Sequence, residues 1–179
     1  MKRTIAILGE NVEHKLEIAF GLATASYPVV LQVEADQEKG IKRKISKRRV
    51  NISIATHTDS FSCAWEADVI IIVDCLHKLT ILAKEIENYV TGKIIIVLLD
   101  EKALSVEVKS SFRYAKNVFV YNPNQAVDSR EVLDFFNLAF SSEIRLISSQ
   151  DAGCKPLTAD VDYTANLVEK IERLLDVFY

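Results

Sequence analysis

With 179 residues, 49% of them apolar and 26% charged, the chain is long enough to bury a sizeable core and reads as one globular domain spanning 1–179. A net charge of −3 is too small to mark nucleic acid or an anionic membrane as the main partner, and no apolar run approaches the roughly 20 residues of a membrane span. Cys63, Cys75 and Cys154 form no C-x-x-C pair and His14, His57 and His77 show no ligand spacing, so neither a disulfide framework nor a metal site is expected.

Met1-Lys2-Arg3 is followed by Thr4-Ile5-Ala6-Ile7-Leu8, an apolar run with β-branched residues that Gly9-Glu10 ends. That is too short for the apolar part of a signal peptide, and a cytoplasmic protein is expected. The run reads as a strand. Val12, Leu16, Ala19, Phe20 and Ala23 then make a helical stripe up to Ser26, stopped by Tyr27-Pro28. Val29 to Val33 is a continuous apolar strand of the kind buried on both faces of a parallel sheet, closed by Glu34-Ala35-Asp36.

Seven basic residues follow between Lys39 and Arg49, with Ile41 and Ile45 four apart, which fits a short helix with one apolar ridge. Val50 to Ile54 alternates strictly and predicts a strand, and Asp59 to Ala67 a connection with one or two helical turns. Asp68 to Asp74 is a buried strand. Leu76, Leu79, Leu82, Ile86 and Val90 predict a helix ended by Thr91-Gly92, and Lys93 to Asp100 another buried strand. Beyond it the pattern predicts a helix over 105–114, a strand over 117–121, a helix over 129–140 and a strand over 144–148. A long terminal helix follows, with Val161, Ala165, Val168, Ile171, Leu175 and Phe178 on one face. Strands alternating with helices predict an α/β fold, a mostly parallel sheet of seven or eight strands covered on both faces, with ligand chemistry at the strands' carboxyl ends.

The first strand and helix stand where dinucleotide-binding proteins carry G-x-G-x-x-G. Only Gly9 is present, with Asn11 and His14 at the second and third positions. The string IAILGENVEHKLEIAFGLA resembles the opening of the deazaflavin-dependent NADP oxidoreductases and, more loosely, of pyrroline-carboxylate reductases. EADVIIIVD is similar to their fourth strand, TGKIIIVLLD to their fifth, NVFVYNPNQ to their V-V-K-A-F-N-T segment, and QDAGCKPLTADVDYTANLVEKIERLL to their closing segment. The resemblance implies a Rossmann-like three-layer sandwich that binds NAD or NADP and transfers hydride, with the chemistry supplied by the cofactor.

Departures from the family's pattern qualify that implication. Asn11 and His14 put side chains where the diphosphate and the helix approach the backbone, and Glu10 and Glu13 put negative charge at a helix end that should attract phosphate. Those carboxylates also read simply as partners of the helix dipole. Glu34, 25 residues past Gly9, stands where NAD-preferring proteins grip the ribose hydroxyls. The basic run reads as a phosphate clamp or a solvated helix face, and nucleic-acid binding through it is disfavoured because no aromatics accompany it for stacking. The family's Val-Pro after the fourth strand becomes Val73-Asp74-Cys75, and Asn122 aligns with an asparagine that the resemblance turns toward the nicotinamide or substrate; Asn122-Pro123 also reads as a turn. The cofactor-binding candidates are therefore Gly9, Asn11, His14, Glu34, Val73, Asp74 and Asn122, and no catalytic residue stands out. Weak or absent NAD or NADP binding is expected from an eroded phosphate loop. The alternative is a non-catalytic module that kept the fold and binds another small ligand or a protein partner. Fold analogy points to a homodimer.

Overall fold

The computed structural model describes residues 2–73 and 78–98, the backbone of 117–121 and 144–147, and positions 115, 168, 169, 171 and 172. Strand β1 (Ile5–Gly9) leads to helix α1 (Val12–Thr24), and β2 (Val29–Gln32) to α2 (Glu38–Lys47). Strand β3 (Ile54–His57) precedes the short α3 (Ser60–Glu66), and β4 (Val69–Val73) precedes α4 (Leu79–Ile86), which tightens into a 3-10 turn at Glu87–Tyr89. Then come β5 (Ile94–Leu98), β6 (Asn117–Tyr121) and β7 (Ile144–Ile147).

The strands lie in the order β3-β2-β1-β4-β5-β6-β7, and every neighbouring pair is parallel. Five of them, β1 to β5, form the body whose side chains are described, and β6 and β7 extend it as backbone. Side chains alternate faces along a strand, so one apolar run fills two cores. Ile5, Ile7, Leu31, Ile71 and Ile96 meet the α1 side, where Leu16, Ala19, Phe20, Leu22, Val168 and Ile171 cover them. Ala6, Leu8, Ile70, Ile72, Ile95 and Val97 meet Cys63 and Ala64 of α3 and Leu79, Leu82 and Ile86 of α4. This burial on both faces is why β1, β2, β4 and β5 read as continuous apolar runs.

The predicted strand over Val50–Ile54 is displaced. The pairing segment is Ile54–His57, bonded to β2 alone at the sheet edge. Val50 instead packs against the α1-side core, and Asn51 Nδ2 donates to Thr24 O at the end of α1. An edge strand needs only one paired side, so the polar Thr56 and His57 sit in it without cost to a core. The predicted helix ending at Thr91-Gly92 also differs: α4 closes at Ile86, and Gly92, at φ +73°, serves the turn into β5. The basic run forms α2 as expected from its apolar ridge, with Ile41 buried and Ile45 partly so. Its cations face solvent, Lys42 pairing with Glu38 at 2.7 Å. The helices predicted over 105–114 and 129–140 lie outside the described residues.

Candidate functional site

The carboxyl ends of β1 and β4 meet at Gly9 and Val73, which pair directly. Gly9 has φ +127°, and a Cβ there would sit 1.9 Å from the carbonyl oxygen of Val73. Only glycine lets these two strands stay paired to their last residue. At the next position of the expected motif, Asn11 has φ −76° and ψ 99°, and its Oδ1 accepts the backbone N–H of His14 at 3.1 Å. It is the N-cap of α1. A helix end that presents free N–H groups attracts phosphate, and here one of them is taken by the chain itself. The carboxylate of Glu13 reaches across to Lys44 of α2 at 2.6 Å. That of Glu10 meets Lys78 Nζ, also at 2.6 Å, linking the loop after β1 to the start of α4.

A cleft of about 570 Å³ opens beside this pair, over the ends of β1, β2 and β3. Gly9 and Glu10 line one end, and Gln32 and Glu34 the edge after β2. The β3–α3 turn contributes Asp59, Ser60 and Phe61, and α4 contributes Lys78, Ile81 and Glu85. Four carboxylates therefore face one ammonium around an apolar wall. Ser60 Oγ donates to Glu85 Oε2 at 2.9 Å, fixing α3 to α4. Asp59 caps α3 through Ser62 N at 2.7 Å. Hydrogen bonding from Ser62, aided by nearby His57, outweighs burial and holds the Asp59 carboxyl below its ordinary range. Glu34 is exposed, and its carboxylate has no partner among the described residues.

Beneath the cleft lies Lys15, only 2% exposed. Its Nζ donates to Gly9 O at 2.6 Å, Gln32 O at 2.7 Å and Gln32 Oε1 at 3.3 Å. The ammonium thus ties the carboxyl ends of β1 and β2 together. Sequence reasoning missed it, although position 15 lies on the buried stripe that begins at Val12, three residues before. Asp59, Ser60, Phe61, Lys78 and Glu85 were missed for another reason: they come together only through the fold.

The structure brings two of the expected site residues, Gly9 and Glu34, to one cleft. Asn11 is exposed on the first turn of α1 and His14 is half-buried beside it. Val73 is fully buried in the α1-side core. Asp74, Cys75, His77 and Asn122 lie outside the described residues. Cys63 is buried behind the cleft, and burial, reinforced by the charges of Asp59 and Glu66, pushes its thiol up to about 12, so it is no nucleophile. On the outer face of α3, Trp65 (72% exposed) stands edge-on to Tyr89 at 6.0 Å, and Phe61 is tilted against the same ring at 6.1 Å. Lys93 Nζ accepts a place at the end of this helix, donating to Ala64 O and Trp65 O.

Among the described residues no helix is long and apolar enough to cross a membrane. No family model matches the sequence, and no curated protein matches it. Solved structures do match. A conserved hypothetical protein from Sinorhizobium meliloti 1021 superposes with a TM-score of 0.51 at 14% identity, over 84% of this chain and 56% of its own. The chain thus spans little more than half the length of that protein. Pyrroline carboxylate reductase from Plasmodium falciparum, crystallised with NADP bound, gives a TM-score of 0.44 at 15% identity, over 96% of this chain and 76% of its own. Identities this low speak to fold alone. The all-parallel strand order with helices on both faces makes the chain an α/β protein of Rossmann-like architecture.

Proposed function

We propose that the chain is an NAD(P)-binding, oxidoreductase-like protein whose adenosine-side cleft is intact and whose diphosphate loop is eroded. The observation that carries this reading is the exposed carboxylate of Glu34, two residues past β2, which faces a cleft of about 570 Å³ with no partner among the described residues. A carboxylate at that place accepts hydrogen bonds from a ribose diol, and the apolar side chains of Phe61 and Ile81 suit the faces of a base. Gly9 supplies the tight turn, and Asp74 and Asn122 are the candidates for the nicotinamide side.

The residues present do not fit the diphosphate equally well. Asn11 uses its side chain to cap α1, and Glu10 brings a carboxylate to the crevice. Binding of NAD and NADP is therefore expected to be weak, with dissociation constants near 1 mM or above, about −4 kcal/mol. Glu34 repels the additional phosphate of NADP, so NADP should bind no better than NAD.

The Glu10–Lys78 pair and the Asn11 cap favour a second reading, a non-catalytic module that takes a different small ligand in the same cleft. Titration calorimetry with NAD, NADP and adenosine separates the two. Adenosine binding that Glu34→Ala abolishes supports the first reading, while adenosine that never binds removes it. Micromolar NAD binding by the unaltered chain would instead show a working phosphate loop.

A further inference from the structure

On the α1 side of the sheet, α2 buries Ile41 and packs Ile45 beside it. At 3.6 residues per turn, Lys39, Arg43 and Lys47 form a ridge directly opposite those two isoleucines. All three are exposed and have no partner among the described residues. The cations on the flanks are engaged within the molecule: Lys42 with Glu38, Lys44 with Glu13, and Arg48 over the ring of Phe20 at 4.7 Å. Residues 38–49 hold seven of the 22 Lys and Arg and one of the 25 Asp and Glu, which leaves 15 against 24 in the rest of the chain. The small net charge hides that asymmetry.

On the opposite layer, Phe61 and Trp65 of α3 gather around the ring of Tyr89, and both are well exposed. Carboxylates adjoin this cluster in the chain: Glu66 follows Trp65, and Glu87 opens the turn that carries Tyr89. Aromatic faces beside carboxylates receive guanidinium and ammonium groups, the rings through their quadrupole and the carboxylates by charge. An aromatic cluster left in water, unlike a scattered apolar residue, marks an interface, and Trp, Tyr and Arg dominate the energetics of such contacts. The ridge itself suits neither a nucleic acid nor a membrane. No aromatic stands on α2 for a base to stack on, and its apolar side is spent in the core, leaving nothing to insert among lipids.

We propose that these two surfaces bind each other between copies of the chain: the ridge of Lys39, Arg43 and Lys47 on one copy docks on the face of Phe61, Trp65 and Tyr89 on the next. Arg43, the middle cation, stacks on the rings, and the two lysines meet the carboxylates. Within one copy the sheet lies between the two surfaces, so they cannot meet there. The contact is head-to-tail, and copies joined by it form a closed ring or an open stack. Being small and rich in exposed charge, it is weak and sensitive to salt. The proposal goes beyond the nucleotide reading and does not depend on it.

The test is sedimentation velocity over a range of protein concentrations, at low and high ionic strength. The unaltered chain should associate reversibly at low salt and dissociate at high salt. Reversing the ridge by Lys39→Glu, Arg43→Glu and Lys47→Glu together should weaken association about tenfold or more, and so should Trp65→Ala. A second reversed chain, Glu66→Lys with Glu87→Lys, should also fail to associate alone. Mixed with the ridge variant it should restore the larger species, because each then offers the charge the other needs. A ridge variant or a Trp65→Ala chain that associates like the unaltered one overturns the proposal, and so does a mixture that stays dispersed. A chain that remains monomeric to roughly 1 mM while a poly-glutamate peptide binds its ridge assigns α2 to an acidic partner and overturns contact between copies. Melting temperatures within a few degrees of the unaltered chain establish that the exposed substitutions leave the fold intact.

Discussion

Lys15 shows how a single side chain joins the carboxyl ends of two paired strands. Parallel strands end with carbonyls that no next strand residue satisfies, and at the crevice those of Gly9 and Gln32 point toward the space that Lys15 fills. A buried acceptor without a donor costs about 1–3 kcal/mol, and a charged donor serves such groups better than a neutral one. Lys15→Met keeps most of the apolar stem and removes the donor. It should lower stability by about 1–3 kcal/mol in urea denaturation. A loss under about 0.5 kcal/mol would mean that water reaches these carbonyls and that the lysine is not their anchor.

Among the helices, α3 depends most on its ends. It has seven residues, too few for propensity to hold it, and it is fixed by Asp59 at the start and by Lys93 at its last carbonyls. Asp59→Ala should cost about 0.5–2 kcal/mol, the usual range for a lost N-cap. The acid dependence has a definite sign. The folded carboxyl titrates below its ordinary value of 3.8, so its stabilisation is complete above that pH and is lost as the pH falls through the depressed folded value. Asp59→Asn keeps a capping oxygen and loses the charge. Its urea midpoint should match that of the unaltered chain's fold near neutrality to within the small difference between two good caps, and should fall less steeply below pH 4. Equal acid slopes in the two proteins would assign the loss to other carboxylates.

For the molecule as a whole, the sheet is a wall between two cores. Leu22 of α1 belongs to one and Ile86 of α4 to the other, both fully buried. Leu22→Ala and Ile86→Ala should each cost about 2–5 kcal/mol. Their sum should describe the double variant within about 0.5 kcal/mol, because no shared partner couples them. Chemical denaturation of the four proteins measures this, and a larger discrepancy would mean that strain passes through the sheet. The same wall explains what was legible in the sequence. Strands covered on both faces leave unbroken apolar runs, and β1, β2, β4 and β5 are found that way. Strand β3 is paired on one side only, and Ile54-Ala55-Thr56-His57 carries no such run, whereas the alternation just before it belongs to a connector packed on a helix. Of the candidate site, Gly9 and Glu34 were readable because each sits at a fixed distance from a strand end. The α3 and α4 contributions were not, because nothing local distinguishes Ser60 or Glu85 until the fold sets them 2.9 Å apart.

The exposed aromatic edge of α3 has a practical consequence. Trp65 is the chain's one tryptophan, and its indole is already in water in the native state. Its emission is that of a hydrated indole before unfolding begins, leaving little red shift for denaturation to add. Far-ultraviolet circular dichroism is therefore the proper optical probe for the variants above. Quenching of the same fluorophore by iodide becomes a sensor for whatever covers this side of the protein, one helical turn from Phe61 and the rim of the cleft.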